Sequence, residues 1–171
     1  MPDTEPTTKQ EQESSSERAR PSARSERAGE GRALRQAWAD HLTRYEWSHF
    51  VTLTSRLSMT PDHLRREFVS GYVRRLARMA QGPVPWFYVV ERSAGMPHLH
   101  ALLARTDDLS LEEIRRAWKL GFTDAERYDA RRGAAYYLTK EMVDAETGAS
   151  PGADDYDLSR RLPPRARRAA A

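Results

Sequence analysis

The apolar residues of this chain recur with two different periods, and the order in which those periods alternate leaves few folds open. His49–Ser55 (HFVTLTS) alternates every second residue and is rich in β-branched side chains, the pattern of a strand with two unlike faces. Thr60-Pro61-Asp62 follows as an N-cap, a proline at the first helical position and an acidic first turn. Leu64, Phe68, Tyr72 and Leu76 then recur every four residues as a helix that Gly82-Pro83 ends. Residues 86–92 (WFYVVER) and 97–104 (PHLHALLA) predict two more strands, joined by a turn over 93–96. Ser110 with Glu113 makes a capping box for a helix over 111–119, Gly121 closes it, and 122–128 predicts a fourth strand. The order is β-α-β-β-α-β, which is the split βαβ arrangement: an α+β, ferredoxin- or RRM-like antiparallel sheet with two helices on one face. Its first and third strands form the central pair. Leu34, Trp38, Leu42 and Tyr45 predict a preceding helix over 33–46. Ala134, Ala135, Leu138 and Met142 predict an additional C-terminal helix over 130–143, with the free face of the sheet as its natural seat.

Composition sets the limits of this domain. Residues 1–32 contain no aromatic, Leu, Ile or Val, and residues 144–171 are rich in Asp, Gly, Pro and Ala, with an arginine cluster at 160–168. Neither segment buries enough apolar surface to offset the entropy of ordering it. The expected organisation is therefore a disordered polar tail over 1–32, a folded domain over 33–143 and a disordered tail over 144–171. Of the 28 basic residues only Lys9, Lys119 and Lys140 are lysine. The 33–143 segment has 17 basic and 13 acidic residues, a net +4 against +3 for the chain, so the positive charge sits on the domain and points to a polyanionic partner. Cysteine is absent, which excludes a disulfide scaffold, a thiolate metal site and a cysteine nucleophile. No apolar run reaches the roughly 18 residues of a membrane span, and the N-terminus has no apolar signal region. A soluble cytoplasmic protein is expected.

His98 and His100 are two apart on a predicted strand, so both imidazoles leave one face. With a turn at 93–96, Glu91 lies opposite His98 on the same face. Two imidazoles and a carboxylate form a metal site with open positions, and the ligand types alone leave magnesium, manganese, zinc and iron all open. On the last helix, Tyr137 and Lys140 are i, i+3 and share a face. A tyrosine whose phenolate is supported by a cation is a covalent nucleophile, and a metal beside it polarises a phosphodiester. A YxxK taken alone is more often a packing aromatic with its hydroxyl at the surface.

Taken in order, the strand FVTLT (50–54), the strand with HLHALL (98–103) and the helix with YLTK (137–140) resemble the three motifs of the HUH endonuclease superfamily. The sequence is most similar to the small rolling-circle replication initiator (Rep) proteins of plasmids, phages and single-stranded DNA viruses. The resemblance runs over about residues 48–143. It implies a nickase acting on single-stranded or hairpin origin DNA. It further implies magnesium or manganese held by Glu91, His98 and His100, with Tyr137 as the nucleophile that becomes 5′-phosphotyrosine-linked and Lys140 either helping to position the metal-bound site or assisting the phenolate. Neighbouring helical residues are about 100° apart, so Tyr136 and Tyr137 do not both face one metal. This reads as a single-tyrosine enzyme with Tyr136 as the fallback nucleophile. The sequence has no GxxxxGK[ST] loop of a helicase, so a host helicase and polymerase are the expected partners.

The DNA surface is drawn by arginines. Arg56, Arg65, Arg66, Arg74, Arg75 and Arg78 cluster around the first crossover helix, Arg131 and Arg132 immediately precede the helix with YLTK, and Arg56, Arg131 and Arg132 are the candidate DNA-binding residues. Trp47, Trp86 and Trp118 are candidate base-stacking platforms, with the contexts of Trp86 and Trp118 favouring the core. Two other readings keep the same residues or the same fold: a single-tyrosine HUH transposase, and a non-catalytic RRM-like nucleic-acid-binding domain. A cupin-type oxygenase is disfavoured, because no glutamate follows the second histidine closely and no further histidine follows His100.

Overall fold

A computed structural model of the chain describes residues 23–91, 96–142, 156–160 and 162–164. Five strands form one antiparallel sheet in the order β4-β1-β3-β2-β5. They are β1 (His49–Ser55), β2 (Trp86–Glu91), β3 (His98–Leu103), β4 (Gly121–Arg127) and β5 (Tyr156–Leu158). The first four stand in split βαβ order, with β1 and β3 central as the periodicities predict. The registers Val51↔Ala101, Glu91↔His98 and Thr54↔Phe122 fix which side chains share a face.

One face is largely apolar, with His49 and Ser55 of β1 as buried polar residues on it. Val51 and Leu53 of β1, Leu99, Ala101 and Leu103 of β3, and Tyr88 and Val90 of β2 pack under the crossover helices. The first crossover starts as α2 (Pro61–Arg66), capped by Thr60 Oγ1 on the His63 amide, and ends as α3 (Arg74–Met79). Between them Glu67–Val73 winds as a π-helix. The sequence explains the widening. A strict four-residue repeat drifts by about 40° per step around an α-helix, yet Leu64, Phe68, Tyr72 and Leu76 are all fully buried. A wider turn holds them on one side. The second crossover, α4 (Leu111–Ala117), carries the expected reciprocal capping box between Ser110 and Glu113.

Two more helices lie on the other face. Ala135, Leu138 and Met142 of α5 (Ala134–Met142) pack on Phe87, Val89 and Leu102, together with Leu42 of α1 (Ala23–Leu42). Trp38 of α1 stacks on Phe87 at 6.2 Å between ring centroids. The helix expected over 130–143 is interrupted. Ala130–Arg132 is a 3-10 turn, and Gly133 takes the left-handed conformation (φ 71°), open to glycine, that separates it from α5.

Two elements reach past the 33–143 span. Helix α1 begins at Ala23, ten residues earlier than the helix expected from Leu34, inside the segment expected as a polar tail. Seven of the ten added residues, 23–32, are Ala, Arg or Glu, good helix formers that lengthen a helix anchored at Leu42. Strand β5 lies in the segment expected as a C-terminal tail and pairs with the free edge of β2. Residues 1–22 and the rest of the expected tails lie outside the described residues, apart from 159, 160 and 162–164, and so does the turn at 93–95. No helix among the described residues is long and apolar enough to cross a membrane.

Candidate active site

Alternation along β1 and β3 puts Thr52, Thr54, His98 and His100 on the face opposite Val51 and Leu53. Cross-strand pairing then joins each threonine to a histidine. Thr52 Oγ1 lies 3.0 Å from His100 Nδ1, and Thr54 Oγ1 lies 3.1 Å from His98 Nδ1. Each ring is thus held through Nδ1 with its Nε2 directed away from the threonine. Sequence reasoning missed both threonines, although the alternation in HFVTLTS carries the signal.

Glu91 is opposed to His98 in the ladder, as expected, but its carboxylate reaches diagonally to the other imidazole. His100 Nε2 is 2.8 Å from Glu91 Oε2. With the ring neutral, Nε2–H donates to the carboxylate and Nδ1 accepts the Thr52 hydroxyl. His100 is buried, while Glu91 and His98 are half-buried. Among the described residues no three His, Asp or Glu side chains converge on one point. The donor set itself, one carboxylate and two imidazoles each oriented by a hydroxyl behind it, fits a divalent ion.

Helix α5 delivers the tyrosines. Burial of Leu138 on the sheet rotates Tyr137 toward the histidines. Its ring meets His100 edge-on at 5.7 Å and Phe50 at 6.5 Å. Tyr136 turns the other way, with the Arg35 guanidinium of α1 4.9 Å above its ring. The helix therefore separates the two tyrosines as their angular offset requires. Lys140 is on the exposed side of α5, one turn after Tyr137.

Beside Tyr137 a cleft of about 210 Å³ is lined by Phe50, Glu126, Arg132, Ala134 and Tyr137. Arg132 forms an ion pair with Glu126 at its wall, and Arg131 is exposed next to it. Arg56 stands at the other end of the sheet, over the ring of Phe122. The crossover arginines lie across the molecule: Arg75 and Arg78 line a separate cleft with Arg116 and Lys119, on the far side of the sheet. Trp47 and Trp118 are buried and Trp86 packs against Phe68 and Tyr88, so none of the three is a stacking platform.

Residues 48–146, more than half of the chain, match the family model described as replication-associated protein ORF2/G2P. No curated protein and no solved structure matches the chain.

Proposed function

The chain belongs to the replication-associated protein ORF2/G2P family, and from that premise we propose that it is a HUH-type endonuclease. In this reading it nicks and rejoins single-stranded origin DNA to start rolling-circle replication of a plasmid, phage or single-stranded DNA virus. One observation carries the reading: Tyr137, His100 and Glu91 meet on one sheet face, with the tyrosine ring against the imidazole and the imidazole bonded to the carboxylate.

The chemistry follows from those groups. The Tyr137 hydroxyl loses its proton and its oxygen attacks the scissile phosphorus. The bond to the 3′ oxygen breaks, the 3′-OH leaves with a proton, and the 5′ phosphate stays on Tyr137. The free 3′-OH primes synthesis by a host polymerase, and attack by a 3′-OH on the phosphotyrosine reverses the step and rejoins the strand. Glu91, His98 and His100 would hold magnesium or manganese, which supplies charge neutralisation at the phosphoryl oxygens when bound. Thr52 and Thr54 fix the ring orientations that such binding needs. Lys140, on the same helix, supplies positive charge near the phenolate. Arg132 lines the cleft beside Tyr137 and the neighbouring Arg131 lines a second one with Trp47 and Tyr128, and both suit the backbone of the incoming strand.

A covalent-adduct assay tests this. The full chain is incubated with fluorescent hairpin oligonucleotides and manganese, then run on a denaturing gel. A shifted protein band is expected, abolished by chelator, by Tyr137→Phe and by His100→Ala. Adduct that survives Tyr137→Phe and vanishes in Tyr136→Phe would move the nucleophile one residue. Oligonucleotide binding without adduct on any substrate would favour the RRM-like binding domain.

A further inference from the structure

Phe122 is the most exposed large apolar side chain among the described residues, at 67%. Among the described residues no helix covers it: α1 and α5 cover the β2 and β3 side of this face, and Phe122 and Asp124 on β4 are exposed. A lone exposed phenylalanine is ordinary, but this one is placed. The registers Thr54↔Phe122, Thr54↔His98 and Glu91↔His98 put Phe122 in one cross-strand row with the site carboxylate and imidazole. Two strand spacings, roughly 10 Å, separate it from His98. Arg56 reaches over the ring at 4.9 Å, and Leu57 beside it is 63% exposed. The position is held tightly. A Cβ on Gly121 would lie 1.9 Å from the Thr54 carbonyl oxygen, so only glycine lets β4 approach β1 at this point.

We propose that Phe122 and Arg56 form a nucleobase-stacking subsite that holds one base of the single strand beside the scissile phosphate. The proposal rests on the reading of the protein as a single-stranded DNA nickase. An aromatic face with a guanidinium over it is the chemistry that single-strand binders use, tolerant of base identity because every base has a π face. Asp124, two residues along on the same face and exposed, repels a phosphate over β4. A neutral base is therefore the part of the nucleotide that this strand admits, and Arg56 is the group that meets the backbone at its end.

The test uses the full chain carrying Tyr137→Phe, so that binding is read without covalent trapping. Fluorescence anisotropy is measured with a labelled oligothymidine longer than the roughly 4–16 nucleotides a single binding fold spans. The comparison probe is an abasic deoxyribose-phosphate oligomer of equal length. Phe122→Leu is expected to weaken oligothymidine binding about ten-fold, to leave abasic binding unchanged, and to be rescued by tryptophan at the same position. Equal oligothymidine binding by Phe122→Leu and its parent overturns the subsite, as does an equal loss on the abasic oligomer or no oligothymidine binding by the parent. A Phe122-dependent preference for bases in a protein that forms no adduct would keep the subsite and sink the nickase. Adduct formation with indifferent Phe122→Leu binding would do the reverse.

Discussion

The same strands present two faces, and the faces do opposite work. Under the crossover helices, Val51, Leu53, Leu99 and Leu103 are fully buried against Leu64, Phe68 and Tyr72. One residue along each strand, Thr52, Thr54, His98 and His100 form hydrogen-bonded pairs that are only partly covered. The histidines sharpen the contrast. His49 lies on the helix-covered side and is fully buried, with Nδ1 2.7 Å from Thr106 Oγ1 and no partner for Nε2 among the described residues. Burial, with some help from Arg127 and against Asp107, pushes it from 6.5 down to about 4. Both faces carry an apolar core; the difference teaches that the face under α1 and α5 also keeps a row of histidine–threonine pairs beside its core.

The largest break in that asymmetry should come from Phe68→Ala. Its ring packs on Tyr72, Trp86 and Tyr88, and its removal should cost about 3–5 kcal/mol in chemical denaturation, a large share of a domain's stability. Next comes acid. His49 binds its proton more readily in the unfolded chain, so stability is full above pH 6.5 and falls as pH drops from 6.5 toward 4. The loss should be of the order of 2–3 kcal/mol, seen in denaturation midpoints at a series of pH values and flattened in His49→Gln. Thr52→Val probes the other face. Stability should change by less than about 1 kcal/mol, while manganese affinity and nicking fall roughly 10–100-fold through the loosened His100. A destabilisation by Thr52→Val as large as that of Phe68→Ala would erase the distinction between the faces.

The strand order and the central pairing were legible because alternation in HFVTLTS and PHLHALLA is a local signal, and the turn length alone placed Glu91 opposite His98. The diagonal bond from Glu91 to His100 was not, since it depends on how two side chains lean across a ladder. The π-helical stretch was written in the four-residue repeat but reads as an α-helix unless the drift is counted. The early start of α1 at Ala23 is not legible, because a helical extension can be built from Ala, Arg and Glu without the Leu, Ile, Val or aromatic residues that mark a core. Strand β5 is set by the partner it finds on β2, which no local pattern of three residues reveals. The exposure of Phe122 is not legible either, because sequence does not say which edge of a sheet the helices leave uncovered.

The register of β1 carries a final consequence. Its odd residues belong to the core and its even residues to the site, so a slip of one position would drive Thr52 and Thr54 into hydrocarbon and turn Val51 and Leu53 toward the imidazoles. Such a molecule loses its core and its histidine supports in the same event. The pairing of β1 therefore sets the core side and the histidine-supporting side of the sheet together, in one register.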